Sequence, residues 1–272
     1  MAEVYYIKPI LHQAGNKTWF REYAWSIYLK ACESRGRNLR WVDPFCGSLA
    51  IPFFILPEEA WVNDASIHFI NFYNEIIKNP IFPKVEADEA LYYSLRDKFN
   101  SLIQEDNVTG REAAEVFYSL NRLAYGNLMR FSKSGKFNTP FSRKKIFDTK
   151  ENDFSVAADV LKGWSVTNLD YSHVIKNAEP NDFIFTDPPY DDQFNDYLKG
   201  GFPWEEQVNL ANLLSKHPGP VLATNNPTDR IIELYTDLGF SMDRKSRFNY
   251  LKAPKIQSNL KFKEVIFMRN IQ

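Results

Sequence analysis

Short apolar segments that end at acidic residues constrain the fold of this chain more than any other feature. The first, residues 39–42, leads into Asp43, and the second, residues 60–62, leads into Asp64. Residues 67–76 follow with apolar side chains at the spacing of an α-helix. This order of strands, polar turns and helices predicts the first βαβ unit of a doubly wound α/β sheet.

The order of predicted elements changes in the middle of the chain. Residues 87–103 and 111–124 have the periodicity of two helices, and an aromatic, basic stretch follows them. Strand patterns then resume at residues 164–167, 182–186, 220–223 and 263–267. We therefore predict one α/β domain, formed by residues 1–78 and 152–272, with a mainly helical domain inserted at residues 79–151.

Composition is that of an ordinary globular protein, with 44% hydrophobic and 25% charged residues among 272. The longest apolar run, residues 49–56, contains a proline and is too short for a membrane span, and no secretory signal pattern is present. Cys32 and Cys46 have no Cys or His at ligand spacing, so neither a disulfide framework nor a metal site is predicted. We expect a cytoplasmic protein, or one in the host-cell cytoplasm if it is viral.

The basic residues are clustered, although the net charge is only -1. Residues 116–147 contain seven Lys or Arg and no acidic residue, and residues 244–263 contain seven more and again no acidic residue. Such stretches fit the phosphate backbone of a nucleic acid. A solvated charged face is the equally weighted alternative.

The most informative motif is Asp187-Pro188-Pro189-Tyr190, which directly follows the predicted strand at residues 182–186. From average composition, a chance match in a chain of this length has odds of about one in a thousand. Sheets of α/β proteins bind ligands at the carboxyl ends of their strands. The position therefore favours a functional loop over a simple Pro-Pro turn.

These residue types suit a reaction at a planar amino group, such as that of adenine. The nitrogen lone pair is delocalised into the ring, so two acceptors are needed to favour a pyramidal nitrogen. The Asp187 carboxylate and the Pro188 carbonyl can each accept one amino hydrogen, and the prolines fix the backbone. Tyr190 offers a flat face for stacking, worth about 1–3 kcal/mol. An adenine in a duplex would have to flip out to reach this loop.

A second motif, residues 43–48, follows the first predicted strand and contains Phe45, Gly47 and Ser48. Gly47 would allow a ligand to approach the backbone closely, and Asp64 is placed to accept hydrogen bonds from ribose hydroxyls. A dinucleotide cofactor is disfavoured, because no G-x-G-x-x-G pattern occurs. An ordinary strand-to-helix turn remains the alternative.

Further segments carry a family resemblance together with these two motifs. They are Ala-Gly-Asn-Lys at residues 14–17, Asn121-Arg122 with Tyr125, Asn127, Leu128 and Arg130, residues 135–141 followed by Arg143 and Lys144, and Phe202 with Glu206 and Gln207. The set resembles the Dam-type, D12 class DNA adenine-N6 methyltransferases of the alpha group. In that group the glycine loop precedes the recognition domain and the D-P-P-Y motif follows it. The resemblance spans most of the chain.

The resemblance implies a Rossmann-like sheet that binds S-adenosylmethionine and transfers its methyl group to N6 of a flipped adenine at a specific, possibly GATC-like, duplex site. It assigns catalysis to residues 1–78 and 152–272 and target recognition to residues 79–151. The catalytic residues would be Asp187, Pro188, Pro189 and Tyr190. The methyl donor would be bound or bordered by Gln13, Lys17, Asp43, Phe45, Gly47, Ser48, Asp64, Asp170, Tyr171 and Asp187.

The resemblance also implies a set of residues that contact DNA. Tyr125 would wedge into the base stack and Arg130 would hold a guanine through N7 and O6, both from a hairpin-like reader in the major groove. For the other basic side chains, contact with the DNA phosphates is the simpler interpretation. The full set is His12, Arg122, Tyr125, Asn127, Arg130, Lys133, Lys136, Asn138, Pro140, Arg143 and Lys144.

The chain departs from the family pattern at several positions. His12 and Gln13 stand where the family has Lys-Trp, and Lys144 stands where an aromatic residue is common. His12 is therefore either a base reader or a surface residue. A methylase of RNA or of a glutamine side chain, and a DNA-binding protein without turnover, are the competing functions. We expect a monomer, or a dimer on DNA, that needs neither metal nor membrane.

Overall fold

The computed structural model describes residues 6–13, 17–132, 134–143, 152–191, 202–248 and 261–271. The first part of the chain forms α1 (Arg21–Arg35), β1 (Trp41–Asp43), α2 (Pro52–Ile55), β2 (Ala60–Asn63) and α3 (Ile67–Lys78). The middle part forms α4 (Glu89–Gln104), α5 (Arg111–Leu123) and a 3₁₀ turn at Tyr125–Asn127. The last part forms α6 (Ser155–Lys162), β3 (Ser165–Thr167), α7 (Tyr171–Lys176), β4 (Phe183–Thr186), α8 (Trp204–Lys216), β5 (Val221–Asn225), α9 (Asp229–Asp237), β6 (Ser241–Phe248) and β7 (Lys261–Arg269).

The described strands form one seven-stranded sheet in the order β3-β2-β1-β4-β5-β7-β6. Strands β1 to β5 are parallel, whereas β7 is antiparallel to both β5 and β6. The chain runs outward from β1 to β3 and then returns to place β4 on the other side of β1. The crevice between the carboxyl ends of β1 and β4 is therefore the topological switch point, where sheets of this type bind ligands. The predicted α/β fold is confirmed.

Alternate residues of β4 pack into two separate cores, because successive side chains of a strand point to opposite faces. Phe183 and Phe185 lie in the core that contains α1, and Phe183 stacks on Trp41 of β1 with ring centroids 5.2 Å apart. Ile184 lies in the other core, with residues of α7 and α8. Strands covered on both faces read as continuous apolar runs. The two layers of helices hold β4 rigidly in the middle of the sheet.

Helix α5 packs against both α4 and α3, and α3 belongs to the sheet's own helical layer. Phe99 of α4 and Phe117 of α5 are buried in the same apolar cluster as Phe72 of α3 and Trp41 of β1. No helix in the described ranges is long and apolar enough to cross a membrane.

His68 of α3 lies where the helices of the middle segment meet the sheet's helical layer. Its ring stacks on Phe131 and Phe117 and contacts Phe99, with centroid separations of 5.6, 5.7 and 4.9 Å. Burial among these rings lowers the pKa of His68 from 6.5 to about 4.

The lowered pKa of the partly buried His68 predicts a loss of stability in mild acid. The folded protein binds this proton less readily than the unfolded chain, so the imidazole's contribution is present above pH 6.5 and is lost as the pH falls toward 4. The full cost is about 3 kcal/mol. Urea unfolding at pH 7 and pH 5 measures the part that is lost over this interval, about 2 kcal/mol. A His68→Phe variant keeps an aromatic ring without the titrating nitrogens and should lose less stability over this interval; equal losses would contradict the assignment.

Candidate active site

The motif at residues 187–190 begins at the carboxyl end of β4, beside the end of β1 at Asp43. Two donors reach the same oxygen of Asp187. The Lys17 ammonium lies 2.8 Å from Oδ1, and the Thr224 hydroxyl donates to Oδ1 at 2.8 Å. Within the described part of the chain, no donor reaches Oδ2. The carboxylate is therefore oriented by one oxygen, and the other keeps its capacity to accept.

The main-chain carbonyls of Pro188 and Pro189 also differ in whether a hydrogen-bond donor reaches them. The Pro189 carbonyl accepts a hydrogen bond from Gln207 Nε2 at 2.8 Å. Gln207 is held in turn, because its Oε1 accepts from Asn225 Nδ2 at 2.9 Å. Among the described residues, nothing donates to the Pro188 carbonyl. A buried amide network thus fixes the turn and leaves one carbonyl available.

Tyr190 is the last residue of the motif and packs against a buried ion pair. Lys17 Nζ lies 4.6 Å from the centre of the tyrosine ring, and the Tyr190 hydroxyl donates to Glu264 Oε2 at 2.9 Å. Burial, together with the Asp187 and Glu264 carboxylates, raises the pKa of Tyr190 well above its ordinary value. The phenol therefore stays protonated and acts as a donor.

The glycine loop is bonded to the next strand and to the segment before α1. The main-chain N–H of Gly47 donates to Asp64 Oδ2 at 2.9 Å, and that of Ser48 donates to Gln13 Oε1 at 3.1 Å. Gly47 has φ +45°, and a Cβ there would lie 2.1 Å from the same Gln13 oxygen. The positive φ and the close contact together explain the glycine.

An aromatic surface borders this loop. Phe45 stacks on Tyr171 with centroids 5.3 Å apart, and Phe202 meets both rings edge-on. The Tyr171 hydroxyl donates to the Glu206 carboxylate. Asp170 caps α7 by accepting a hydrogen bond from the Ser172 N–H at 2.8 Å.

Three carboxylates lie close together at the switch point. Burial raises the pKa of Asp43 well above its ordinary value, and the neighbouring Asp187 and Asp64 raise it further, against a hydrogen bond from the Phe45 N–H. Burial also raises the pKa of Asp64. This edge of the sheet therefore favours a ligand with positive charge. In the described residues, no group of three or more His, Cys, Asp or Glu is arranged to hold a metal ion.

The sheet order and the acidic, aromatic switch point define a doubly wound, Rossmann-like α/β protein with its ligand site at the carboxyl ends of β1 and β4. The family model for D12 class N6 adenine-specific DNA methyltransferases matches residues 28–250, and the chain belongs to this family. Its reaction is the transfer of a methyl group from S-adenosylmethionine to N6 of adenine in DNA. The resemblance seen in the sequence is thereby confirmed.

Several curated relatives cover most of the chain. The retron Ec67 DNA adenine methylase of Escherichia coli is 28% identical, over 92% of this chain and 85% of its own length. The type II methyltransferase M.CviBI of Paramecium bursaria Chlorella virus NC1A is 28% identical, over 89% of this chain and 92% of its own. A DNA adenine methylase of Vibrio cholerae is 26% identical, over 78% of each chain.

The residues at the switch point fit S-adenosylmethionine. The donor is a sulfonium cation that carries an adenosine group, and the site offers both a cluster of carboxylates and an aromatic surface. The carboxylate of Asp64 is half-buried beside the glycine loop, in reach of a ribose.

The predicted DNA reader has hairpin-like pairing. Residues 124 and 131 form antiparallel bridges with residues 141 and 137, and the Tyr125 N–H donates to the Pro140 carbonyl at 2.9 Å. The Tyr125 side chain is 58% exposed. Arg130 Nε donates to Asn138 Oδ1 at 2.9 Å. Lys136, Asn138 and Pro140 are exposed on the returning segment.

Other predicted DNA contacts lie apart from this reader. His12 meets α5, where its Nε2 is 2.8 Å from Arg122 Nη1 and its main chain exchanges two hydrogen bonds with Asn121. Arg143 is 77% exposed and pairs with Glu89 of α4. Lys133 and Lys144, and residues 14–16 of the family motif, lie outside the described residues, and Asn127 is described by its backbone alone.

The sequence interpretation missed three residues that hold the reactive loop. Thr224 and Asn225 end β5, and Glu264 lies near the start of β7. The available signals were the polar Thr-Asn-Asn that ends a buried strand and a glutamate directly before the apolar residues 265–267.

Proposed function

We propose that Asp187 Oδ2 and the Pro188 carbonyl accept the two amino hydrogens of the target adenine. This proposal is supported by a difference between the acceptor oxygens of the loop: two of them already accept hydrogen bonds and two are available. Asp187 Oδ1 and the Pro189 carbonyl already accept from Lys17, Thr224 and Gln207, whereas the other two have no donor among the described residues. A rigid loop with two available acceptors suits the two hydrogens of an amino group.

The arrangement favours the change that the nitrogen undergoes. When bound, S-adenosylmethionine supplies an electrophilic methyl group. Asp187 and the Pro188 carbonyl draw the amino hydrogens out of the plane of the base and stabilise the positive charge that develops on nitrogen. Lys17 covers one face of Tyr190, so the adenine stacks on the other face. Such a pose requires a base that has left the duplex.

The methyl donor is assigned to the acidic and aromatic edge beside this loop. Phe45 and Tyr171 supply the surface for its adenine ring, and Asp64 accepts hydrogen bonds from its ribose hydroxyls. The cluster of carboxylates favours its sulfonium and ammonium charges. The remaining residues assigned to this pocket are Gln13, Lys17, Asp43, Gly47, Ser48, Asp170 and Asp187.

Target recognition is assigned to the inserted segment, residues 79–151, and catalysis to residues 1–78 and 152–272. In this assignment the exposed Tyr125 ring enters the base stack, and Arg130 reads a guanine in the major groove of a GATC-like site. The other basic residues of the segment contact phosphates. The enzyme acts on duplex DNA as a monomer, in the cytoplasm or in that of a host cell.

The proposed function is tested most directly by measuring whether the target adenine flips out of the duplex. Modified-base sequencing of DNA from cells that express the chain identifies the methylated site. A duplex with 2-aminopurine at the target adenine should then brighten when the purified enzyme binds, because an unstacked 2-aminopurine loses its quenching. The same probe one base pair away should stay dark. Equal brightening at both positions, or transfer of labelled methyl to single strands alone, would overturn the proposal.

Arg130 gives a prediction about sequence discrimination. Its Nε is held by Asn138, which leaves the two terminal nitrogens to face a guanine edge. We expect Arg130→Ala to cost about 1–3 kcal/mol of discrimination at one base pair. The matched control is Lys136→Ala, on the same hairpin, which should weaken binding to all sequences alike and reduce the salt dependence. Competition binding with single-base variants of the site measures both; an unchanged site preference in Arg130→Ala would remove this role.

A further inference from the structure

The beginning of α8 contacts both halves of the reaction site through two consecutive side chains. The helix begins at Trp204, and Glu206 and Gln207 follow close to its start. Glu206 reaches Tyr171, which belongs to the aromatic surface assigned to the methyl donor, and Gln207 reaches Pro189 in the reactive loop. The buried face of α8 packs in the same core as one face of β4. One fixed helix end therefore supports two different parts of the site.

The support on the donor side is a hydrogen-bonded tyrosine. The Tyr171 hydroxyl donates to the Glu206 carboxylate and accepts from Asn209 Nδ2 at 2.8 Å. Burial and the hydrogen bond to Glu206 raise the pKa of the phenol above its ordinary value, so it stays protonated. The ring stacks on Phe45 and meets Phe202, two residues before the helix, edge-on. Tyr171 is thus restrained both at its hydroxyl and around its ring.

The support on the target side is a directed chain of amide hydrogen bonds. The Asp191 main-chain N–H donates to Asn225 Oδ1 at 3.3 Å. The other end of that side chain, Nδ2, donates to Gln207 Oε1 at 2.9 Å, and Gln207 Nε2 then donates to the Pro189 carbonyl at 2.8 Å. Gln207 and Asn225 are both 0% exposed. Because Pro189 and Asp191 flank Tyr190, this buried chain holds the backbone on both sides of the stacking tyrosine.

The two supports act at different distances from the chemistry. Tyr171 is assigned to the adenine end of the methyl donor, which is remote from the methyl group. A contact there is made equally in the ground state and the transition state, so its loss raises KM. The Pro189 carbonyl belongs to the loop that holds the reacting nitrogen, where a misplacement of about 1 Å can cost about 100-fold in rate. The two side chains should therefore affect different kinetic constants.

We propose that Glu206 and Gln207 are positioning residues on a shared support: Glu206 orients the surface for the methyl donor through Tyr171, and Gln207 orients the target adenine through Pro189 and Tyr190. Both residues act through these partners. This role rests on the proposed function of the reactive loop and of the aromatic surface, and it deepens that function.

A Gln207→Met variant of the full chain tests the target side. Methionine is similar in length and volume to glutamine but donates no hydrogen bond to Pro189. We expect the single-turnover rate of methyl transfer, at saturating DNA and donor, to fall about 10- to 100-fold. The KM for the methyl donor should change less than about threefold, because Tyr171 keeps its partner.

Two further variants separate this role from a general loss of stability. Asn71→Leu is the matched control, since Asn71 is a buried amide of α3 that exchanges two hydrogen bonds with the main chain of Gly110, at 3.0 and 2.7 Å. It should lose stability but transfer methyl groups at the wild-type rate when folded. If Gln207→Met does not fold, Gln207→Glu keeps the acceptor for Asn225 without the donor for Pro189, and its transfer rate should fall in the same way.

A Glu206→Ala variant tests the donor side, because it removes the acceptor of the Tyr171 hydroxyl. We expect the KM for the methyl donor to rise about 5- to 20-fold, with a transfer rate at saturating donor within about threefold of wild type. Glu206→Gln should restore the KM, since its amide oxygen still accepts from the phenol. The control is Glu205→Ala, which removes an exposed carboxylate from the same turn and should change neither constant.

The outcomes distinguish this inference from the proposed function. A wild-type transfer rate in the folded Gln207 variants overturns it, and so does an unchanged donor KM in Glu206→Ala. Equal rate losses in Gln207→Met and Asn71→Leu also overturn it, because that result describes a general loss of stability. In each case the assignment of Asp187 stands. The proposed function fails separately, if substitution of Asp187 itself leaves transfer intact.

Discussion

An Asp187→Asn enzyme should bind its DNA with near wild-type affinity and transfer methyl groups at least about a thousandfold more slowly. The asparagine oxygen can keep the hydrogen bond from Thr224. Its Nδ2 would then stand where Oδ2 accepts, so an N–H group would face an N–H group of the adenine. The substitution also removes the negative charge that balances the developing cation. In the proposed assignment, binding depends mainly on contacts of the inserted segment with the DNA backbone, which the change does not touch.

Single-turnover transfer of labelled methyl and fluorescence anisotropy with duplex DNA measure the two quantities. The matched control is Asp182→Asn, at the opposite end of the same strand. Asp182 is 3% exposed and accepts two hydrogen bonds from Arg40, at 3.0 and 2.6 Å. That variant should lose stability but keep its transfer rate when folded. An Asp187→Asn enzyme within about tenfold of the wild-type rate would place the chemistry elsewhere.

Replacing Lys17 by methionine should impair both stability and turnover. The ammonium is the cation between Asp187 and Glu264, and without it two carboxylates face each other with little water to screen them. Breaking a buried ion pair by removal of one partner typically costs about 3–5 kcal/mol. The transfer rate should fall by more than about a hundredfold, because Asp187 loses one of the two donors that orient it.

Urea unfolding reports the free energy, provided that the slope with denaturant is unchanged. The double variant Lys17→Met with Glu264→Gln should recover part of the lost stability, since it removes one of the two facing carboxylates, without recovering the rate. Lys162→Met is the control for an exposed pair, and its contact with Asp159 should contribute less than about 1 kcal/mol. If Lys17→Met is as stable as wild type, the ammonium does not hold these carboxylates together.

The elements that the sequence predicted well have strong local signals. The helix predicted at residues 111–124 is observed at Arg111–Leu123, and the strand predicted at residues 182–186 is observed at Phe183–Thr186. Two other elements had no such signal. Helix α7 has only six residues, too few to show a helical period, and β6 reads Ser-Met-Asp-Arg-Lys-Ser-Arg-Phe, without alternation of apolar residues. Its strand conformation depends on pairing with β7 rather than on local preference.

The parts of the candidate site that lie on contiguous sequence motifs could be predicted, whereas the parts that depend on the pairing of distant segments could not. Asp187 and Asp64 follow predicted strands, and the structure places both at the switch point. Glu264 was not predictable, because its place depends on β7 running antiparallel beside β5, a relation between distant segments. Sequence reasoning assigned Arg122 to phosphate, and its contact with His12 came from the packing of α5 against residues 12 and 13. The domain boundaries at residues 78 and 152 stay a prediction.

The insertion of β7 between β5 and β6 also bears on how the enzyme matures on the ribosome. In the described sheet, β6 has no neighbour except β7, and β7 is synthesised after every other strand. Strand β6 can therefore join the sheet only together with β7 or after it. A nascent chain already carries its D-P-P-Y loop before β7 is made, so the Tyr190 hydroxyl gains its Glu264 partner only when β7 docks.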